Sequence, residues 1–179
     1  MKKILFVLIV VLSSSGLYAQ SNAVSKHFSQ FQRDTSFTKI SVTSRMFSLF
    51  ADIDAEDPDQ AELLEAMSKL KGIKGLVKED NGSSRDMYFD AVDKIAADGS
   101  YEELMTIEDA QENVQFMIRE EGDIIQELMM IVGGNRQFVV MTLYGEIDLN
   151  SIAKLSKVMG IKGLEKFSRI GEGDKQDKK

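Results

Sequence analysis

The chain has no cysteine among its 179 residues. That absence excludes disulfides, cysteine nucleophiles and thiolate metal sites. It also excludes attachment of a lipid through an N-terminal cysteine, so the chain is not expected to be a lipoprotein. Histidine occurs once, as His27. A lone imidazole without Cys or His neighbours makes a poor metal site, and no nucleophile elbow accompanies it for serine catalysis. His27 reads instead as a helix-surface or partly packed side chain. Phosphate loops are missing too. Gly72-x-x-Gly75 and Gly160-x-x-Gly163 lack the fuller glycine pattern and the Lys-Ser/Thr pair, so both read as turn punctuation. Positive charge is in short supply: 22 Lys and Arg against 29 Asp and Glu give a net charge of −7. Such a chain is repelled by nucleic-acid phosphates and anionic lipid surfaces, and no nucleic-acid partner is expected.

Long apolar runs are scarce as well. The run Ile4 to Leu12 follows Lys2 and Lys3 and precedes Ser13-Ser14-Ser15-Gly16 and Leu17-Tyr18-Ala19-Gln20. This is the layout of a secretory signal peptide, with cleavage expected after Ala19. The run is too short for a stable membrane anchor. The expected organisation is a signal peptide over 1–19, a single α+β domain over 20–170, and a disordered polar tail over 171–179. The expected location is periplasmic or secreted. Hydrophobic residues make up 43%, enough for a core built by burial alone in a chain of this size.

Periodicity then outlines the domain. Val24, Phe28 and Phe31 predict a short amphipathic helix within Asn22 to Arg33. Phe37 to Thr43 alternates like a strand, Phe37, Lys39 and Ser41 facing one way and Thr38, Ile40 and Val42 the other. Ser44 can cap a helix with Met46, Leu49 and Phe50 inward. Asp57-Pro58-Asp59-Gln60 starts another, with Leu63, Leu64, Met67 and Leu70 inward. Gly72 to Val77 reads as a short strand, and Asp80-Asn81-Gly82 as a turn. Ser83 and Asp86 offer a capping box for a helix burying Tyr88, Ala91, Val92 and Ile95, stopped near Gly99. Beyond Tyr101 the period becomes two. Strands are expected at Leu104 to Glu108 and around Val114, Phe116 and Ile118.

The stretch Ile124 to Ile147 has two apolar runs flanking Gly133-Gly134-Asn135-Arg136. Gly and Asn accept positive φ, so this is a hairpin signal. Its second run, Phe138 to Tyr144, is apolar on both faces apart from Thr142, as a central strand would be. The expected fold is α+β: an antiparallel β-meander within a mostly antiparallel sheet, with helices packed mainly on one face. Asp148 should cap a last helix carrying Leu149, Ile152, Leu155 and Val158.

Several patterns invite chemistry. Asp52, Asp54 and Glu56 have the spacing of a calcium loop, but its turn glycine would fall at Asp57 and its closing Glu at Leu63. A solvated acidic loop is the plainer reading. Met129, Met130 and Met141 lie in the central hairpin. Thioether clusters can bind copper(I), yet the spacing is not that of a copper-trafficking loop, and adaptable core filling explains them better. Carboxylate pairs are numerous but none sits in a recognisable motif. A short echo links Ser68-Lys69 and Gly72 to Leu76 with Ser156-Lys157 and Gly160 to Leu164. Phe50 to Asp54 likewise resembles Tyr144 to Asp148. The echo leaves open an old duplication or simply similar helix exits.

The segments FTKISVTSRMFSLF, GIKGLVKED and IIQELMMIVGGNRQFVVMTLYGEIDLNSIAKL, behind a signal peptide, resemble an uncharacterised exported family of Gram-negative bacteria, domain-of-unknown-function family 4252. The resemblance covers most of the mature chain. It implies export and domain extent, and it supplies no activity, cofactor or site residue. Some members look like lipoproteins, from which this chain departs by lacking cysteine. No catalytic, cofactor-binding or metal residue is assigned, and no cofactor is expected. The function expected is a non-enzymatic envelope module that binds a protein or small ligand, serving envelope regulation or stress sensing. The alternatives are a hydrolase-type enzyme using acidic residues, and a structural protein with no ligand.

Overall fold

The computed structural model describes residues 22–51, 58–79 and 82–148. The signal-peptide stretch, the acidic run at 52–57 with the cap Asp57, Asp80-Asn81, the helix expected after Asp148, the second copy of the echo and the polar tail all lie outside the described residues.

The described chain opens with the short helix α1 (Ala23–His27) and a 3-10 turn (Ser29–Arg33). Strand β1 (Thr38–Thr43) leads into α2 (Ser44–Ala51), and α3 (Pro58–Ser68) leads into β2 (Leu70–Glu79). Helix α4 (Ser84–Ala96) crosses to the far side of the sheet. From there β3 (Glu102–Glu108), β4 (Glu112–Glu121), β5 (Ile124–Gly134) and β6 (Gln137–Ile147) return as a meander. The six strands stand in the order β1-β2-β6-β5-β4-β3, every neighbouring pair antiparallel. The fold is α+β, and β6 is an interior strand, as its two-sided apolarity requires.

Strand alternation sends neighbouring side chains to opposite faces. On one face Met117, Met129, Ile131, Phe138 and Val140 pack with Val24 of α1 and with Tyr88, Ala91 and Ile95 of α4. On the other, Val114, Phe116, Leu128, Met130 and Val139 pack with Phe47 of α2 and Met67 of α3. Helical cover is uneven. Helix α4 packs along β5 and β6, whereas α2 and α3 pack chiefly on each other. Phe28, Phe116 and Phe138 are almost fully enclosed. Each such side chain contributes about 1.5–3 kcal/mol of burial free energy.

Several local expectations change. The first helix breaks at Phe28 (φ −119°, ψ 20°), so Phe28 and Phe31 fall on either side of a junction rather than on one helical stripe. In α2 the buried residue among the described side chains is Phe47, and the expected inward Phe50 lies outside them. Met46 and Leu49 stand 47% and 52% exposed, because the helix begins directly at the end of β1 and its facing is set by that strand. Leu70 is buried in β2, not in α3. Ser83 makes no side-chain cap to α4; its hydroxyl contacts Met87 Sδ at 3.8 Å instead.

The glycines of the expected short strand and of the expected hairpin turn both lie within longer strands. Gly72 and Gly75 lie inside β2, which runs the full length of β6. At Gly72 a Cβ would meet the Tyr144 ring (Cζ at 2.6 Å) and the Val42 carbonyl at 2.8 Å, so glycine makes room for an aromatic laid across the strand. The hairpin before β6 turns at Asn135-Arg136, and neither Gly133 nor Gly134 has positive φ. Gly133 is small because α4 crosses it: a Cβ there would collide with the Tyr88 Cβ and approach the Ser84 carbonyl to 2.6 Å.

Candidate functional site

Each apolar run of the central hairpin contains one polar break on the face covered by α1 and α4: Glu127 in β5 and Thr142 in β6. Both are completely buried, and they bond to each other, Thr142 Oγ1 donating to Glu127 Oε1. The same Oε1 accepts the backbone N–H of Ala23 at 2.6 Å. Oε2 accepts the Tyr101 hydroxyl at 2.8 Å and Arg119 Nη2 at 3.2 Å. The two oxygens thus receive four donors from four separated parts of the chain. A carboxylate offers about four lone-pair positions, so this one is saturated.

The local structure explains each donor. Arg119 is directly opposite Glu127 across the β4–β5 ladder. Tyr101 sits in the connection between α4 and β3. Ala23 is the first residue of α1, whose opening N–H groups have no partner within the helix. Asn22 caps one of them, its Oδ1 accepting from Ser25 N at 3.0 Å, and Glu127 takes that of Ala23. A carboxylate also suits the positive end of a helix. Asn22, Ala23 and Val24 are all buried, so this single side chain ties the start of the described chain to the middle of the sheet.

The electrostatics follow from enclosure. Burial pushes the Tyr101 hydroxyl well above the usual tyrosine value, and the neighbouring Glu127 charge and hydrogen bond add to the shift. Tyr144 is raised for the same two reasons, burial first. Burial works against the Arg119 charge, but the hydrogen bond to Tyr101 and the Glu127 carboxylate outweigh it, and its pKa rises. The cluster therefore sets a neutral tyrosine and a cationic arginine beside Glu127.

Helix α1 also carries His27, 3.8 Å from Asp98 Oδ1. Burial pushes its pKa below the ordinary 6.5, against the opposing pull of Asp98. Its Nε2 is buried without a hydrogen-bond partner among the described residues. Asp98 is engaged by Lys26 at 2.6 Å and by the Ser100 hydroxyl. The methionines do not converge: Met130 and Met141 pair across β5 and β6, while Met129 points to the opposite face. No group of three or more His, Cys, Asp or Glu side chains is placed to hold a metal among the described residues.

The second distinctive region lies on the surface. Strand β1 is a sheet edge, and Thr38, Lys39, Ser41 and Thr43 are exposed along it. Its six residues pair with β2 without a register shift. On the face that carries Lys39, Ser41 and Thr43, Lys74 and Lys78 of β2 lie close by. Lys74 Nζ donates to Ser41 Oγ at 2.7 Å, Lys39 Nζ to the Asp34 carbonyl at 2.7 Å, and Lys78 Nζ stands 5.5 Å from the Phe37 ring centre. None of the three lysines forms an ion pair among the described residues. The opposite edge, β3, exposes Glu102, Glu103 and Glu108 and breaks register against β4 between Glu103 and Met105. A register break of that kind, absent from β1, blunts an edge against further pairing.

The model of a family described as Domain of unknown function (DUF4252) matches residues 31–155. The chain belongs to this family. No curated protein and no solved structure matches it. The DUF4252 span contains Tyr101, Arg119, Glu127, Thr142 and the whole of β1, whereas Ala23 and His27 precede it. The carboxylate cluster is thus built from family sequence, and its fifth member is a segment upstream.

In the sequence Thr142 stands out only as an interruption of an apolar run, and Glu127 does not stand out at first sight. A signal was present. Glu127 falls on the same strand face as Met129 and Ile131, so a strand in this register must bury it. Its partners Ala23 and Tyr101, 104 and 26 residues away, have no local pattern that announces them.

Proposed function

We propose that this DUF4252 protein is an exported, non-enzymatic interaction module of the cell envelope, engaging another protein along β1. The observation that carries the reading is the saturation of Glu127. The carboxylate at the most elaborate convergence of polar groups in the described residues is fully buried and satisfied by the chain's own donors. A buried, fully bonded carboxylate positions elements of the fold, and it has no free acceptor for a substrate or metal. The enzyme alternative called for a cleft with two or more convergent carboxylates of shifted pKa. The cluster contains one carboxylate, and that carboxylate is fully buried. By contrast, β1 offers an edge, exposed hydroxyls and uncompensated positive charge. Export rests on the leader-like first residues and keeps company with the absence of cysteine.

The test is site-specific photo-cross-linking in living cells of the native host. Benzoylphenylalanine in place of Thr38 or Ser41 should give a discrete cross-linked protein adduct, and the same group in place of Thr106 on β3 should not. Adducts absent from both edges would contradict the interaction reading. Adducts from β3 alone would place the contact on the wrong edge.

A further inference from the structure

The open edge has a chemistry that narrows what can occupy it. A strand added to β1 continues the sheet, and its side chains alternate between the two faces. On one face they would lie beside Lys39, Ser41 and Thr43, with Lys74 one strand further in, opposite Ser41 in the β1–β2 register. On the other face they would lie beside Thr38, Ile40 and Val42. Ile40 and Val42 are half-buried, and Val42 packs onto the apolar cluster of that face. Helix α2 leaves the end of β1 and exposes Met46 and Leu49 at 47% and 52%. These are two of only four large hydrophobic side chains so exposed among the described residues, the others being Phe89 and Ile124.

Charge decides the rest. Lys26, Lys69 and Arg119 each meet a carboxylate within 4 Å. Lys39, Lys74 and Lys78 meet a carbonyl, a hydroxyl and an aromatic ring. Asp34 is near enough for Lys78 and Lys39 to lower its pKa, but chiefly its oxygen is held by the backbone and hydroxyl of Ser36. In a chain of net charge −7, this is a local reversal of sign beside an edge that no other strand of the described residues pairs. A second copy docked edge to edge would set two such lysine rows together, which opposes self-pairing.

We infer that β1 accepts an extended segment of another protein in which acidic and apolar residues alternate, the acids facing Lys39 and Lys74 and the apolar side chains facing Ile40 and Val42. This deepens the interaction reading and rests on it. Backbone hydrogen bonds hold the segment, and the lysine face selects it by charge.

The test uses the mature protein and fluorescein-labelled synthetic peptides followed by anisotropy. One peptide alternates Glu and Val, one alternates Lys and Val. Two further Glu-Val peptides carry N-methyl groups on alternate amides, in opposite phases. The Glu-Val peptide should bind and weaken with added salt. The Lys-Val peptide and one of the two methylated phases should bind at least about tenfold more weakly. The double variant Lys39→Glu, Lys74→Glu should lose binding to a similar extent with its circular dichroism unchanged, and Lys39→Arg should retain it.

Equal binding of both charge patterns, equal binding of both methylated phases, or indifference to the double variant would overturn the inference. So would sedimentation of the protein alone as a dimer that Lys39→Glu dissolves, since the occupant would then be a second copy. If cross-links form at Thr38 while the Glu-Val peptide fails to bind, the occupant class falls and the interaction module stands. If both are absent, both fall.

Discussion

The buried end of β5 and the open edge of β1 handle charge in opposite ways. At Glu127 a single carboxylate is taken wholly out of water, and the chain surrounds it with an amide, two hydroxyls and a guanidinium. At β1 three ammonium groups stay near solvent and, among the described residues, find only neutral partners. The first arrangement fixes structure, because removing any one donor or the acceptor leaves a buried group unpaired. The second leaves structure nearly indifferent and keeps charge available for something outside the chain. Both regions consist of polar residues on one and the same face of the sheet. What separates their roles is whether the charge is already answered.

The sharpest way to break the interior half of this contrast is Val140→Asp. Val140 is fully buried in β6, and a carboxylate there would have no donor set of the kind built around Glu127. The expected outcome is loss of the cooperative urea transition and of near-ultraviolet dichroism. Next is Glu127→Ala. It strands Tyr101, Arg119, Thr142 and the Ala23 amide, and should cost about 3–5 kcal/mol, read as a lower urea midpoint. Amide hydrogen exchange should rise first in α1, whose opening N–H loses its acceptor. Gly133→Ala presses a methyl group into Tyr88 of α4 and should cost about 1–3 kcal/mol in the same assay.

Acidification gives a smaller effect with a definite sign. Because burial holds the His27 pKa below 6.5, the unfolded chain binds a proton more readily than the folded one. Stability should therefore fall as pH drops through 6.5 toward the folded value and be fully retained above it. His27→Gln should flatten this part of the midpoint-versus-pH curve. The smallest expected change is at the edge itself. Lys39→Glu should leave the urea midpoint and slope unshifted, since an exposed side chain bonded only to a carbonyl contributes little to folding.

The same contrast explains what could be read from sequence. The meander was legible because its signals are local: two-residue alternation in β3 and β4, and a polar tip between the two apolar runs of β5 and β6. The two-sided apolarity of Phe138 to Tyr144 foretold the interior position of β6. The length of β2 was hidden by Gly72 and Gly75, which resemble turn residues until the Tyr144 ring is seen lying across the strand. Phe47 was missed in favour of Met46 and Leu49, because a short helix has several plausible apolar stripes and only its junction with β1 selects one. The Glu127 cluster depended on contacts between distant segments, which periodicity does not report. The edge character of β1 depended on strand order, since a strand looks the same in sequence whether or not a neighbour follows it.

The most direct measurement of the central claim sets Glu127→Gln beside Lys39→Glu. For each, the urea midpoint and the affinity for the Glu-Val peptide are measured under conditions where both variants are folded. The account predicts a crossed result: Glu127→Gln lowers the midpoint and leaves affinity unchanged, while Lys39→Glu leaves the midpoint unchanged and removes binding. A loss of affinity in folded Glu127→Gln, with Lys39→Glu binding normally, would contradict it and move the functional site to the buried carboxylate.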